Sequence, residues 1–255
     1  MIERLVLGTV QFGLKYGVSN KLGQSGLDDV KSILSIARQK GIHYLDTAPA
    51  YGSSETILGN VINDFFGSGD FAHITKVPDL SQSLDPVAPF GESFQRSLSC
   101  LQLDKVHGLI VHRAADLLSD CYGRELYMAM QNLKAQGKVK QIGASVYTAG
   151  EINSLLENYD LDLIQLPLNA LDQRLVNDGS LTSLKERNIE VHVRSVFLQG
   201  LLLMPPSELP EYFNPWKTML IQYHAAIEHS GSSRLEAALS YVFHQPLVDK
   251  IVIGV

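Results

Sequence analysis

The sequence predicts a closed eightfold barrel of alternating β-strands and α-helices, the TIM-barrel (β/α)8 class, as one domain over residues 1–255. Three observations carry that expectation. Short apolar or β-branched runs recur eight times, helix-period segments separate them, and Gly8, Gly13 and Gly17 after the first run are spaced wrongly for the glycine turn of an open dinucleotide-binding sheet. Parallel strands need helical crossovers, and eight strand-helix units in 255 residues close a barrel more readily than they build a doubly wound sheet.

In chain order, strands are expected at 4–7, 43–46, 72–76, 106–112, 141–145, 163–166, 190–193 and 250–253, each a short run rich in Val, Ile or Leu. The first long helix, 27–39, sets Leu27, Val30, Ile33, Leu34 and Ala37 on one stripe and stops at Gly41. Further helices are expected at 53–62, 89–101, 123–136 (ended by Gly137), 149–158, 180–187 and 234–244, each with polar or glycine boundaries. The stretch 204–215 holds Pro205, Pro206, Pro210 and Pro215 and reads as a long surface loop.

Composition narrows the function. With 45% hydrophobic and 19% charged residues the chain can bury a core without disulfides or metal, which excludes a disordered protein. Lys and Arg number 21 against 27 Asp and Glu, a net charge of −6 with no basic cluster, so nucleic acid is not an expected partner. No apolar run approaches the ~18 residues of a membrane span, and the opening stretch with Glu3 lacks the apolar centre of a signal peptide. A cytoplasmic protein without a membrane partner is expected. Cys100 and Cys121 lie in neither a CxxC nor a zinc spacing, which suits a reducing compartment and predicts no metal site.

In such a barrel, chemistry is assembled at the C-terminal ends of the strands. Strand 2 ends on Asp46 and runs into a loop carrying Tyr51, strand 3 ends on Lys76, and strand 4 ends on His112. Neighbouring strands lie about 4.8 Å apart, so these side chains can converge over the barrel mouth. A tyrosine ordinarily titrates near pH 10, and an ammonium beside it is expected to bring it towards working pH, making Tyr51 a proton donor. Asp46 would keep Lys76 charged, and a neutral His112 would orient a carbonyl oxygen. Protonating that oxygen is half of a reduction; hydride, the other half, comes from a nicotinamide cofactor.

The segments LDTAPAYG, ITK and LIVH, in that order at those strand ends, resemble the aldo-keto reductase superfamily, and the similarity covers nearly the whole chain. The resemblance implies that Asp46, Tyr51, Lys76 and His112 are the catalytic tetrad, and that NADPH, with NADH as the alternative, lies extended across the barrel mouth to reduce a small carbonyl compound, possibly sugar-derived. It assigns cofactor binding to Gly8, Thr9, Asp46, Ser145, Gln165, Arg194 and Ser195, with Ser145 and Gln165 on the nicotinamide carboxamide. The segment QFGLKYG is similar to a bacterial branch associated with surface-polysaccharide genes.

The chain also departs from that pattern. Val146 stands beside the strand 5 serine where the family has Asn, and Arg194 stands where many members stack an aromatic ring on the nicotinamide, a role a guanidinium plane can take. No N-terminal hairpin precedes strand 1, and the chain stops at 251–255 where the family continues into the loop and helix that hold the adenosine phosphate. Apolar surface near Val252 is therefore expected to face solvent or a neighbour, and NADPH binding to be weak.

Other residues read less sharply. His43, His73 and His107 sit near strand starts, the stability face, and are read as structural. Arg113 either binds an anionic substrate or pairs with a carboxylate. Tyr16, Phe197 and Trp216 are candidates for lining the pocket, or, for Trp216, for anchoring its loop. Two rival functions stand beside the reductase: a catalytically weak cofactor-sensing or scaffold protein on the same fold, and an aldolase or isomerase using Lys76 as a Schiff-base amine. The second rival needs a depressed lysine pKa, which Asp46 opposes.

Overall fold

The computed structural model describes residues 2–67, 69–80 and 87–254, with the side chains of 87 and 88 outside the description. Eight parallel strands close a barrel: β1 (Leu5–Gly8), β2 (Tyr44–Asp46), β3 (Ala72–Val77), β4 (Val106–Val111), β5 (Val139–Ser145), β6 (Leu163–Pro167), β7 (Glu190–Arg194) and β8 (Lys250–Gly254). Each strand pairs with its sequence neighbours, and β8 returns to β1 in the register Leu5↔Ile251 to Gly8↔Gly254. Every expected strand is present, with bounds moved by one or two residues. A one-turn 3-10 segment, Ile2–Arg4, leads into β1, and the Arg4 guanidinium ties it to the carbonyls of Phe243 and Val248 at 2.8 and 2.7 Å.

The registers Asp46↔Ile74, Lys76↔Ile110, Ile110↔Gly143 and Gly143↔Leu163 set these residues on one face of the closed sheet. Because strand side chains alternate, Ile74, Ile110 and Leu163, all fully buried, fill the barrel beneath the polar residues at its mouth. The intervening positions, such as Leu45, Ile142, Ile164, Val191 and Ile251, are also buried and meet the helical layer.

The helices are α1 (Val10–Gly13), α2 (Leu27–Gln39), α3 (Ser54–Phe65), α4 (Val87–Leu101), α5 (Ala114–Leu117), α6 (Gly123–Ala135), α7 (Ala149–Asn158), α8 (Arg174–Asn177), α9 (Ser180–Glu186), α10 (Lys217–Ser230) and α11 (Arg234–Phe243). Helices α2 and α7 match their expected bounds, and α3 runs three residues further, to Phe65. Capping boxes fix two starts: Thr148 and Glu151 cap α7, and Ser233 and Glu236 cap α11. Among the described residues, no helix is long and apolar enough to cross a membrane.

Two expectations need correction. The proline-rich stretch is not simply a loop: it folds into 3-10 turns at Pro206–Glu208 and Glu211–Trp216 that feed directly into α10, a 14-residue helix the sequence reading omitted. Its inner stripe, Leu220, His224 and Ile227, is interrupted by a histidine, while Met219 and Ile221 are over two-fifths exposed, so its apolar residues lie on more than one face. The second correction concerns β8. Val252 lines the cavity at the barrel mouth, and Ile253 is half-buried against the main core, so neither forms the open outer patch that was anticipated.

A small second core, Leu201, Leu202 and Leu220 with Val18, Leu198 and Phe213 packed on it, joins the loop after β1 to the loop after β7. Val18 N–H donates to Gln199 O at 2.8 Å, and Lys21 pairs with Glu208 at 2.6 Å. These two loops form one wall of the cavity at the barrel mouth.

Candidate active site

The site begins with the way β1 and β2 end. Thr9 N–H and its hydroxyl both lie 3.0 Å from Asp46 O and donate to it, and Ser54 Oγ donates to Thr9 O at 2.9 Å. Thr9, assigned to the cofactor by the resemblance, is fully buried, and its hydroxyl is spent on this framework. Gly8 sits against β8, where an added Cβ would meet Ile253 O and Val252 Cγ1 at 3.2 Å.

The Tyr51 loop is pressed onto α1 backbone to backbone. A Cβ on Gly13 would fall 1.8 Å from Tyr51 O, and one on Gly52, whose φ is +59°, would fall 2.5 Å from Gly13 O. Only glycine permits that approach and that φ without strain.

Four expected residues share one cavity of about 490 Å³ at the C-terminal end of the barrel: Asp46, Tyr51, Lys76 and His112. Lys76 Nζ donates to Asp46 Oδ1 at 2.5 Å and to Thr47 O at 3.0 Å, and Gln165 Nε2 donates to Asp46 Oδ2 at 2.7 Å. Asp46 and Lys76 are 3% and 2% exposed, so the pair is buried and both carboxylate oxygens are satisfied. The ammonium lies 5.0 Å from the centroid of the Tyr51 ring, and the His112 ring meets that ring edge-on, centroids 6.0 Å apart.

Burial pushes the Tyr51 phenol above its ordinary value, and the Lys76 charge only partly offsets this. The expectation that Lys76 brings Tyr51 down towards working pH is therefore overturned; in this arrangement the phenol keeps its proton. Burial alone would lower Lys76, but Asp46 and Tyr51 outweigh it and hold the ammonium above its ordinary value. A charged lysine is no Schiff-base nucleophile, which removes the footing of the aldolase reading. Burial first, then the Lys76 charge, lowers His112 to about 4, so its imidazole is neutral across the working range.

Ser145, Gln165, Arg194 and Ser195 line the same cavity. The Arg194 guanidinium carbon lies over the ring of Tyr147, in the loop after β5, 4.3 Å from its centroid. Its N–H groups reach Ser145 Oγ, Ser195 Oγ and Val146 O at 3.3, 3.4 and 3.3 Å. Val146 itself is buried and offers its backbone carbonyl. Ser195, Leu198 and Gln199 all have φ near +50 to +60°, a strained run that starts directly after Arg194.

Several residues escaped sequence reasoning. Tyr147 lies two positions past Ser145 and was findable as a residue of a strand-end loop. Gln11 lines the cavity with its Oε1 buried and without a partner among the described residues. Glu55, 6% exposed on α3, accepts from Thr75 Oγ1 at 2.6 Å and Ser97 Oγ at 3.1 Å, and burial pushes its carboxyl up; nothing in the local sequence marks it.

Of the undecided residues, Arg113 pairs with Asp79 at 2.5 Å on the surface, outside the cavity lining. Tyr16 and Phe197 line the cavity, whereas Trp216, half-exposed and outside the cavity lining, lies with its ring centroid 6.1 and 6.4 Å from those of Tyr212 and Phe213. His43 contacts Asp70 O, His107 contacts Gln141 Oε1, and His73 is buried, so all three are structural residues at strand starts.

The sequence was compared with known proteins. It is 28% identical to the NADH-specific methylglyoxal reductase of Escherichia coli over 65% of this chain and 56% of that protein, and 29% identical to the aldo-keto reductase YhdN of Bacillus subtilis over 69% and 55%. The matched stretches thus span just over half the length of those two relatives. L-galactose dehydrogenase of Arabidopsis thaliana is 26% identical over 98% of this chain and 81% of its own. Among solved structures, an aldo-keto reductase of Bacillus halodurans superposes with a TM-score of 0.76 at 22% identity, covering 99% of this chain and 82% of that one, and so shares the fold. The family model described as "Aldo/keto reductase family" matches residues 4–255, and with the barrel and its strand-end residues in place, the chain belongs to that family.

Proposed function

We propose that this protein is a nicotinamide-dependent reductase of small aldehydes or ketones in which Tyr51 is the general acid. The observation that carries the reading is the buried Asp46–Lys76 pair, set beneath the Tyr51 ring and beside a neutral His112 in one cavity. Tyr51 holds its proton and gives it to the carbonyl oxygen. Lys76, kept charged by Asp46, stabilises the phenolate left behind. His112 orients the oxygen through its neutral ring, and Gln165 keeps Asp46 turned towards Lys76.

The residues present fit a nicotinamide. Gln165 has spent its amide N–H on Asp46 and keeps its oxygen as an acceptor, Ser145 offers a hydroxyl, and the orphaned Gln11 Oε1 wants an N–H or O–H donor from a bound molecule. When bound, the cofactor supplies hydride to the carbonyl carbon. NADPH is the expected form and NADH the alternative; the Escherichia coli relative is named as NADH-specific. Family membership and the charged Lys76 support turnover over the sensing or scaffold role.

The test follows the near-ultraviolet absorbance of NADPH and of NADH against a panel of short aldehydes, ketones and aldoses. Consumption of either cofactor with at least one carbonyl is expected. Tight cofactor binding without turnover of any carbonyl would favour the sensing role instead.

A further inference from the structure

Glu55 is a buried carboxyl group for which the reductase chemistry has no direct use. It stands one helical turn beyond Tyr51, at the start of α3, and is 6% exposed. Its two oxygens accept from Thr75 Oγ1 on β3 and Ser97 Oγ on α4, at 2.6 and 3.1 Å. Among the described residues it enters no ion pair. A buried carboxylate held by hydroxyls alone is a poor source of stability, because its loss of water costs more than two hydrogen bonds to neutral donors return. What those bonds join explains its place better.

Thr75 immediately precedes Lys76. The register between β2 and β3 ends at Asp46↔Ile74, whereas β3 continues alongside β4 to Val77↔Val111. Lys76 therefore sits on a stretch of β3 whose register partners, among the described residues, lie in β4 alone. Its Nζ nevertheless reaches back to Asp46 Oδ1 at 2.5 Å and Thr47 O at 3.0 Å. Strand side chains alternate, so Lys76 points into the barrel mouth and Thr75 points out to the helices, where Glu55 receives it. The residue before Glu55 works on the neighbouring strands: Ser54 Oγ donates to Thr9 O at 2.9 Å and lies 3.2 Å from Thr47 Oγ1. Two consecutive residues thus tie the helix that follows the Tyr51 loop to the ends of β1, β2 and β3, where Asp46 and Lys76 stand.

We propose that Glu55 is a positioning residue: by accepting from Thr75 it fixes the end of β3, and with it the place of the Lys76 ammonium between Asp46 and the Tyr51 ring. Its effect on rate rests on the reductase reading; its effect on the lysine does not.

The experiment measures kcat, KM and the urea midpoint of the wild type, Glu55→Met, Glu55→Gln, Thr75→Val and the Glu55→Met/Thr75→Val double variant. Glu55→Met and Thr75→Val are each expected to lower kcat about 30-fold, the scale of a small misplacement of a catalytic group, with KM and the urea midpoint little changed. Glu55→Gln still offers an oxygen to Thr75 and an N–H to Ser97, so it is expected to keep most of the rate, with a urea midpoint equal to the wild type or higher. The double variant is expected to be no slower than the singles, since both remove one bond. Losses that add in the double variant, or that follow the urea midpoint with Glu55→Gln no better than Glu55→Met, would overturn the proposal. Crystal structures of the wild type and the near-isosteric Thr75→Val give a readout independent of turnover, in which Lys76 Nζ is expected to leave Asp46 Oδ1. That bond intact in Thr75→Val, even with active reduction of aldehydes, would sink the positioning role alone. A displaced lysine, in a protein whose wild type reduces no carbonyl, would uphold the positioning of Lys76 and sink the reductase reading alone.

Discussion

Asp46 is the residue on which the site turns: it accepts from Lys76 and Gln165 through its side chain and from Thr9 through its carbonyl. Removing the Gln165 amide strands a buried carboxylate oxygen. Gln165→Leu is therefore expected to lose about 1 to 3 kcal/mol of stability and, because Asp46 is then free to turn from Lys76, to lower kcat. Urea denaturation and steady-state kinetics check both effects, and unchanged values for each would detach Gln165 from the site. Because burial raises the Tyr51 phenol from its ordinary value and lowers His112 to about 4, the rate of carbonyl reduction is expected to be flat across neutral pH and to fall on the acid side as His112 gains a proton. A pH–rate profile falling with a midpoint near neutrality would contradict this assignment. At this scale the strand-end residues were legible, because motif order marks them. The direction of the Tyr51 shift was not, because burial outweighs a neighbouring charge and burial cannot be read from a run of letters.

At the scale of elements, the contact between α1 and the Tyr51 loop sets the position of the acid. Gly13→Ala places a methyl group 1.8 Å from Tyr51 O, so the loop must move. A loss of about 1 to 3 kcal/mol in stability is expected together with a fall in kcat, whereas Gly137→Ala, where a Cβ meets nothing within 4 Å, tests only the strain of its positive φ. Thermal melts and turnover of the two variants check this. Equal losses of activity in both would show that the Tyr51 loop tolerates displacement. Helices with one clean apolar stripe, such as α2, were read to the residue. Helix α10 was missed because His224 breaks its buried stripe, and one-turn helices such as α1 and α5 are too short to show a period.

For the molecule as a whole, the barrel was legible because eight strand runs alternate with helical segments along nearly the full chain; the docking of the loops after β1 and β7 was not, since it rests on contacts between residues far apart in sequence. The barrel also carries an acid sensitivity. Burial lowers His73 from 6.5 to about 4, and its Nε2 has no partner among the described residues. The unfolded chain takes up that proton more readily, so stability is complete above the ordinary histidine value and drains away as pH falls towards 4. His73→Leu is expected to remove about 2 kcal/mol of the stability difference between about pH 7 and about pH 5 in denaturant titrations. No change in that difference would place the sensitivity elsewhere. The proposed reduction rests on a protonated Tyr51 acting in a cavity that holds cofactor and carbonyl together. The most direct test is the single-turnover rate of carbonyl reduction with cofactor saturating, wild type against Tyr51→Phe, with cofactor affinity and the circular dichroism spectrum recorded for both. A drop of at least about a hundredfold in rate, with affinity and spectrum nearly unchanged, is the result this arrangement predicts. Wild-type rate in Tyr51→Phe would contradict it.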